Sequence, residues 1–94
     1  MPASASNGLA ASQNASIGTS AGVVVSSRGD RKRLTVIQMG TTPVYLGSSA
    51  AVTTSNGALL AGVVGQTLVF ETTAALYGIV SSGTGSVSVV EEFS

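Results

Sequence analysis

Ser86-Val87-Ser88-Val89-Val90 decides the fold. Valine and serine alternate, so one face of an extended strand is apolar and the other carries hydroxyls. The same period appears upstream in Arg31 to Met39, with Leu34 and Val36 on one side and Thr35 and Ile37 on the other. Working outward, Val23 to Ser26, Val44 to Leu46, Gln66 to Glu71 and Ala75 to Val80 are further short runs rich in β-branched and aromatic residues. Leu68 and Phe70 share a face. Turn chemistry separates these runs: Ser27-Arg28-Gly29-Asp30, Gly40-Thr41-Thr42-Pro43, Asn56-Gly57, Gly62 to Gly65 and Ser82-Gly83-Thr84-Gly85. Asn56-Gly57 suits a type I′ turn, although its weak strand-forming flanks leave a longer loop open. No stretch has a helical period; Ser49 to Val52 is long enough for one turn. The pattern predicts an all-β domain, a small β-sandwich or partly open barrel of short antiparallel strands, over residues 21–94.

Met1 to Ser20 differs in kind. It is Ala, Ser, Asn and Gly with Leu9 and Ile17 as its large apolar residues. Such a segment cannot offset its own ordering entropy, so it reads as an extended N-terminal arm over residues 1–20, flexible alone or ordered by a partner. Fully extended, twenty residues reach about 65 Å.

Composition narrows function. The chain of 94 residues has no His, no Cys and no Trp, and 9% of it is charged. Acid–base, thiol and zinc chemistry lack their usual side chains. The abundant serines have no His to activate them. Glu91 and Glu92 are neighbours in a strand, so they point to opposite faces and cannot converge as an acid–base pair. We expect no enzyme, no cofactor and no metal. Formal net charge is zero, which disfavours a nucleic-acid partner. No apolar run approaches the ~18 residues of a membrane-spanning helix, and no secretory leader pattern is visible. A domain of about 75–80 residues buries only about 60–65% of the surface its unfolded chain exposes. Without disulfides or zinc, oligomerisation is the remaining stabilising device.

All four basic residues, Arg28, Arg31, Lys32 and Arg33, fall within six positions, while Glu71, Glu91 and Glu92 lie in the second half. Two readings stand: a basic hairpin tip that meets an acidic patch on a neighbour or shell, or a solvated turn that blunts a strand edge. Arg28-Gly29-Asp30 spells an integrin-binding tripeptide but is sufficiently explained as a turn. Asn14-Ala15-Ser16 is a formal glycosylation acceptor that means nothing without secretion. Val52 to Asn56 offers hydroxyls and an amide to a sugar. Tyr45 and Tyr77 are expected to pack in a core or at an interface.

Pro43-Val44-Tyr45-Leu46-Gly47, Val52-Thr53-Thr54-Ser55-Asn56-Gly57, Ala75-Leu76-Tyr77-Gly78-Ile79 and Ser82-Gly83-Thr84-Gly85 before a valine-rich last strand resemble small virion proteins of tailed bacteriophages. The resemblance runs from about Arg33 to Glu92 and is to capsid decoration (cement) proteins and head or tail fibre modules. It implies a structural component in the virion, assembled in the host cytoplasm. It also implies the major capsid protein or other virion proteins as partners, and a homo-oligomer, a trimer by resemblance. The partner contacts expected are Arg28, Arg31, Lys32, Arg33, Tyr45, Tyr77, Leu9 and Ile17. The alternatives are a fibre-associated host-attachment or glycan-binding module and an internal nucleocapsid-like protein.

Overall fold

A computed structural model describes residues 13–93. It contains eight strands: β1 (Gln13–Ile17), β2 (Gly22–Val25), β3 (Arg31–Gln38), β4 (Val44–Gly47), β5 (Ala58–Leu60), β6 (Thr67–Phe70), β7 (Leu76–Ile79) and β8 (Gly85–Phe93). They form two four-stranded sheets, β1-β8-β3-β6 (sheet A) and β2-β7-β4-β5 (sheet B). Every pairing is antiparallel. The domain is therefore an all-β sandwich.

The wiring follows one rule. β1 pairs with β8, β2 with β7, β3 with β6 and β4 with β5. This is one long hairpin with its tip between β4 and β5. Lateral pairing of β3 with β8 and of β4 with β7 rolls it into two layers. Strand order and pairing together define a jelly roll. Each connection except β4–β5 crosses from one sheet to the other, so the turns act as corners of the sandwich.

Between the sheets lies a core of Ile17, Val24, Val25, Leu34, Val36, Val44, Leu46, Leu60, Leu76, Val80, Val87 and Val89, with Ala15, Leu68 and Phe70 packed against it. The alternation read in β3 and β8 is observed: Leu34, Val36, Val87 and Val89 are all fully buried. Each such side chain contributes about 1.5–3 kcal/mol by leaving water.

Three expectations are corrected. The arm was placed at residues 1–20, but Gln13–Ile17 pairs along β8 from Val89 to Gly85, and Ile17 is 4% exposed in the core. β8 supplies the pairing that this segment's composition does not encode. Second, the basic segment is not a hairpin tip, because β2 and β3 belong to different sheets. Third, Asn56-Gly57 is not a type I′ turn: among the described residues only Gly65 and Gly83 have positive φ. The longer loop is found instead. Asn56 Oδ1 accepts from the Thr53 amide at 2.7 Å, and the Gly57 amide donates to Thr53 O at 3.0 Å. Ser49 to Val52 does make one turn, closed by Val52 N to Ser49 O at 3.2 Å.

Candidate interface: a charged end and an uncharged sheet face

β3 begins at one end of the sandwich with Arg31 and finishes at the other with Gln38, both buried. Gln38 ties the loops at its end. Its Nε2 donates to Thr42 O at 3.0 Å and Ala61 O at 3.1 Å, and its Oε1 accepts from the Gly40 amide at 3.1 Å. Arg31 does the same at the opposite end with charge. Nε donates to Thr72 O at 2.9 Å, Nη1 to Ser26 O at 3.0 Å and to Glu91 Oε1 at 2.9 Å, and Nη2 to Ala74 O. One guanidinium thus joins the β2–β3 corner, the β6–β7 corner and β8. Its planar fork of donors is what permits bonds in several directions.

Arg31 was expected to contact a partner, and this is corrected: its side chain is fully buried. The cause is local. Arg31 pairs with Phe93 and Arg33 with Glu92, so Lys32 is an extra residue in a β-bulge. The bulge reverses the phase of the strand, turning Arg31 inward with Leu34, Val36 and Gln38 although strict alternation would place it outward. The remaining basic residues stay accessible. Arg28 is half exposed, lies 3.4 Å from Glu91 Oε1 and covers the Phe93 ring at 5.6 Å. Arg33 reaches Glu92 at 3.6 Å and Glu71 at 3.9 Å. Lys32 and Asp30 are exposed and form no ion pair among the described residues. The basic and acidic clusters, distant in sequence, therefore meet within the chain. As expected, Glu91 and Glu92 diverge, Glu91 inward to Arg31 and Glu92 outward to Arg33.

Every charged side chain lies where β3 begins and β6 and β8 finish, or in the corner leading to β3. Sheet B carries none. Its inward residues Val24, Val44, Leu46, Leu60 and Leu76 are core. By alternation Val23, Tyr77, Ile79, Tyr45 and Leu59 lie on the outer face. Register lines them up in two rows, Ile79–Tyr45–Leu59 and Val23–Tyr77–Gly47. Val23 is 54% and Leu59 52% exposed, and the three central residues are partly buried. An antiparallel sheet with one wet face ordinarily presents polar residues there. This one presents valine, leucine, isoleucine and both tyrosines of the chain. The structure thus brings Tyr45 and Tyr77 together on one outward surface. Leu9 lies outside the described residues.

The β4–β5 loop folds back on this surface. A Cβ on Gly47 would lie 2.7 Å from Val52 Cγ2, and one on Gly57 2.7 Å from Tyr45 Cβ. Val52 is buried yet lies outside the core cluster. It packs beside Gly47 and Gly57 as an internal cover. Within the loop is a depression of about 330 Å³ lined by Gly47, Ser48, Ser49, Ala51, Val52 and Asn56. The Asn56 amide is occupied there: Oδ1 by the Thr53 amide and Nδ2 by Ala51 O at 3.4 Å.

Comparison with protein-family models, curated proteins and solved structures finds no match to this chain. The functional reading rests on the residues described above.

Proposed function

We propose that the chain is a structural virion component, a capsid decoration or cement protein that stabilises a shell by adhering to it in many copies. It acts without cofactor or catalysis. The observation that carries this reading is the separation of two unlike surfaces on one inert sandwich: a charged end and an uncharged, apolar sheet face. A subunit that cements must hold at least two things. Two dissimilar adhesive surfaces let it do so without one competing for the other's partner, and repetition on a lattice adds avidity to weak single contacts. The jelly-roll wiring is one that viral capsid domains use, alongside lectins and cupins, and this is support by analogy of fold alone. Arg28, Lys32 and Arg33 are the accessible basic residues for contact with the major capsid protein.

Glycan binding draws less support. A sugar site needs free hydrogen-bonding groups converging on one place, and the Asn56 amide is committed to its own loop. The test is occupancy on purified shells lacking the protein. Saturable binding of the full chain, at a copy number proportional to the shell subunits, is expected. Absence of shell binding together with retention on cells or glycans would transfer the reading to an attachment module.

A further inference from the structure

We infer that the edge of β8 from Val90 to Phe93 is a docking strip for an extended strand, and that its occupant is Leu9-Ala10-Ala11-Ser12 of the same chain, which prolongs β1.

β8 is nine residues long and β1 five. On one side β3 borders β8 as far as Phe93. On the other, β1 runs only from Gly85 to Val89. Among the described residues, Val90 to Phe93 therefore have a neighbouring strand on one side alone. The phase of the backbone bonds decides what this edge offers. One position past the Gln38–Val87 pair, Met39 donates its amide to Ser86 O at 3.0 Å. A residue's N–H and C=O point to one side of an antiparallel strand, and the next residue's point to the other. Ser86, Ser88, Val90 and Glu92 thus address β3. Val87, Val89, Glu91 and Phe93 address the side on which β1 lies.

Glu91 makes that edge demanding. The residue is 2% exposed, so water scarcely reaches its amide and carbonyl, and buried backbone groups are nearly always paired. Arg31 and Arg28 engage its side chain only. The far edge of the same sheet shows the contrast. The Gln38 amide donates to Gln66 O at 2.7 Å, so Thr67 and Val69 turn their backbone groups outward from β6. Both residues are exposed, and water serves them. The Glu91 edge needs a strand.

Continuity selects which one. Gln13 lies opposite Val89 and Asn14 opposite Ser88. The same register carried past Gln13 sets Ser12 opposite Val90, Ala11 opposite Glu91, Ala10 opposite Glu92 and Leu9 opposite Phe93. Four residues cover about 14 Å of strand, the length left on β8, and no loop has to close. A segment of another molecule would have to displace one already tethered in place. Ala11 and Glu91 then each donate an amide to the other's carbonyl. The side chains suit this register. Ala15 packs on the core and Ile17 is buried in it, and the same parity reaches Ala11 and Leu9. Alanine opposite Glu91 is small enough to leave the Arg31–Glu91 pair undisturbed. Leucine opposite Phe93 makes an aliphatic–aromatic cross-strand pair beside the ring that Arg28 covers. Leu9 becomes a contact within the chain. The segment left to reach a partner is Met1 to Gly8, and its span falls from about 65 Å to about 26 Å.

The experiment is amide hydrogen exchange of the full chain, read residue by residue by NMR in dilute and in concentrated solution. The Glu91 amide is expected to be protected to within ~10-fold of Val89 at both. Ala11→Pro removes the N–H that faces β8 and is expected to lower Glu91 protection at least ~10-fold, with Val87 and Val89 unchanged. Ala10→Pro removes an N–H that faces away from β8 and is expected to leave Glu91 as in the wild type. A Glu91 amide that exchanges like an unstructured one overturns the inference, as does one that keeps its protection in Ala11→Pro. Equal losses in the two proline variants overturn the register. Protection that appears only in concentrated solution assigns the strand to a second copy and overturns the own-chain occupant. No shell enters the measurement, so its outcome bears on the strand and not on the decoration reading.

Discussion

Replacing Arg31 by Ala removes the guanidinium that joins two corners to β8. Glu91, 2% exposed, then keeps only Arg28, half exposed at 3.4 Å. Removing one member of a buried pair costs about 3–5 kcal/mol, because the survivor is left desolvated and uncompensated. The carbonyls of Ser26, Thr72 and Ala74 lose their charged donor as well, and such bonds contribute about 1.5–3 kcal/mol each when intact. These effects overlap, and the corners can open to water, so the net loss is about 4 kcal/mol. That is a large fraction of the ~5–15 kcal/mol available to a domain. At a urea slope of about 1.5 kcal/mol/M, the midpoint falls by roughly 2–3 M. The chain has no Trp, so far-UV dichroism or tyrosine fluorescence follows the transition. Arg31→Lys keeps the charge beside Glu91 but cannot serve several directions at once, and about half of the loss is expected. The decisive variant is Arg31→Met with Glu91→Leu. If the pair alone mattered, this double change would restore stability. We expect it to remain about 2 kcal/mol below wild type, because the three carbonyls still lack donors. Full recovery in the double variant would refute the clamp, and a loss under ~1 kcal/mol in Arg31→Ala would refute the buried placement itself.

Gly62→Ala places a Cβ 2.3 Å from Thr41 O, whereas nothing lies within 4 Å of a Cβ on Gly29. Thermal melts should show a loss of about 2–3 kcal/mol for the first and no loss for the second, and equal melting temperatures would contradict the packing of these two loops. Gln38→Leu leaves Thr42 O, Ala61 O and the Gly40 amide without their side-chain partner, at a cost of about 2–4 kcal/mol. A wild-type urea midpoint would show that water replaces the amide freely. Charge reversal at Lys32 and Arg33 together should lower shell occupancy more in dilute buffer than in 1 M salt, where screening shortens to about 3 Å. An equal effect at both salts would mean lost packing of the side-chain stems.

Much of the sandwich was legible because its long strands alternate. Val87 and Val89 against Ser86 and Ser88, and Leu34 and Val36 against Thr35 and Ile37, fix both the strand type and the buried face. Two strands escaped for different reasons. β5 is three residues, Ala58–Leu60, too short to show a period. β1 is Gln-Asn-Ala-Ser-Ile, whose local preference is weak and whose pairing is imposed by β8. Arg31 was illegible because the bulge at Lys32 breaks the parity on which face assignment rests. Glu91 was open to the reading: it shares parity with Val87 and Val89, so its inward direction and its need for a buried cation were implicit. The outer face of sheet B needed the structure. Tyr45 and Tyr77 could be suspected singly, but only the β4–β7 register, with Tyr45 opposite Ile79 and Tyr77 opposite Gly47, sets them diagonally on one face between Val23 and Leu59.

The pairing within the charged end constrains how the molecule meets anything else. Three of the four basic residues and three of the four acidic ones answer each other inside the chain. Among the described residues Lys32 and Asp30 remain, opposite in sign and one residue apart. A nearly cancelled field gives little long-range steering, so encounter proceeds without the acceleration that complementary patches provide. Exposed apolar side chains are spread more widely: Val23 and Leu59 lie on sheet B, Val69 on sheet A, and Met39, Val63 and Val64 in the loops at the Gln38 end. Charge, by contrast, is confined to sheet A and the corners at one end of it. The geometry of the fold makes this confinement cheap. Because every corner except β4–β5 changes sheets, the charged corner can feed β3 in sheet A while β2, its neighbour in sequence, stays in the neutral layer.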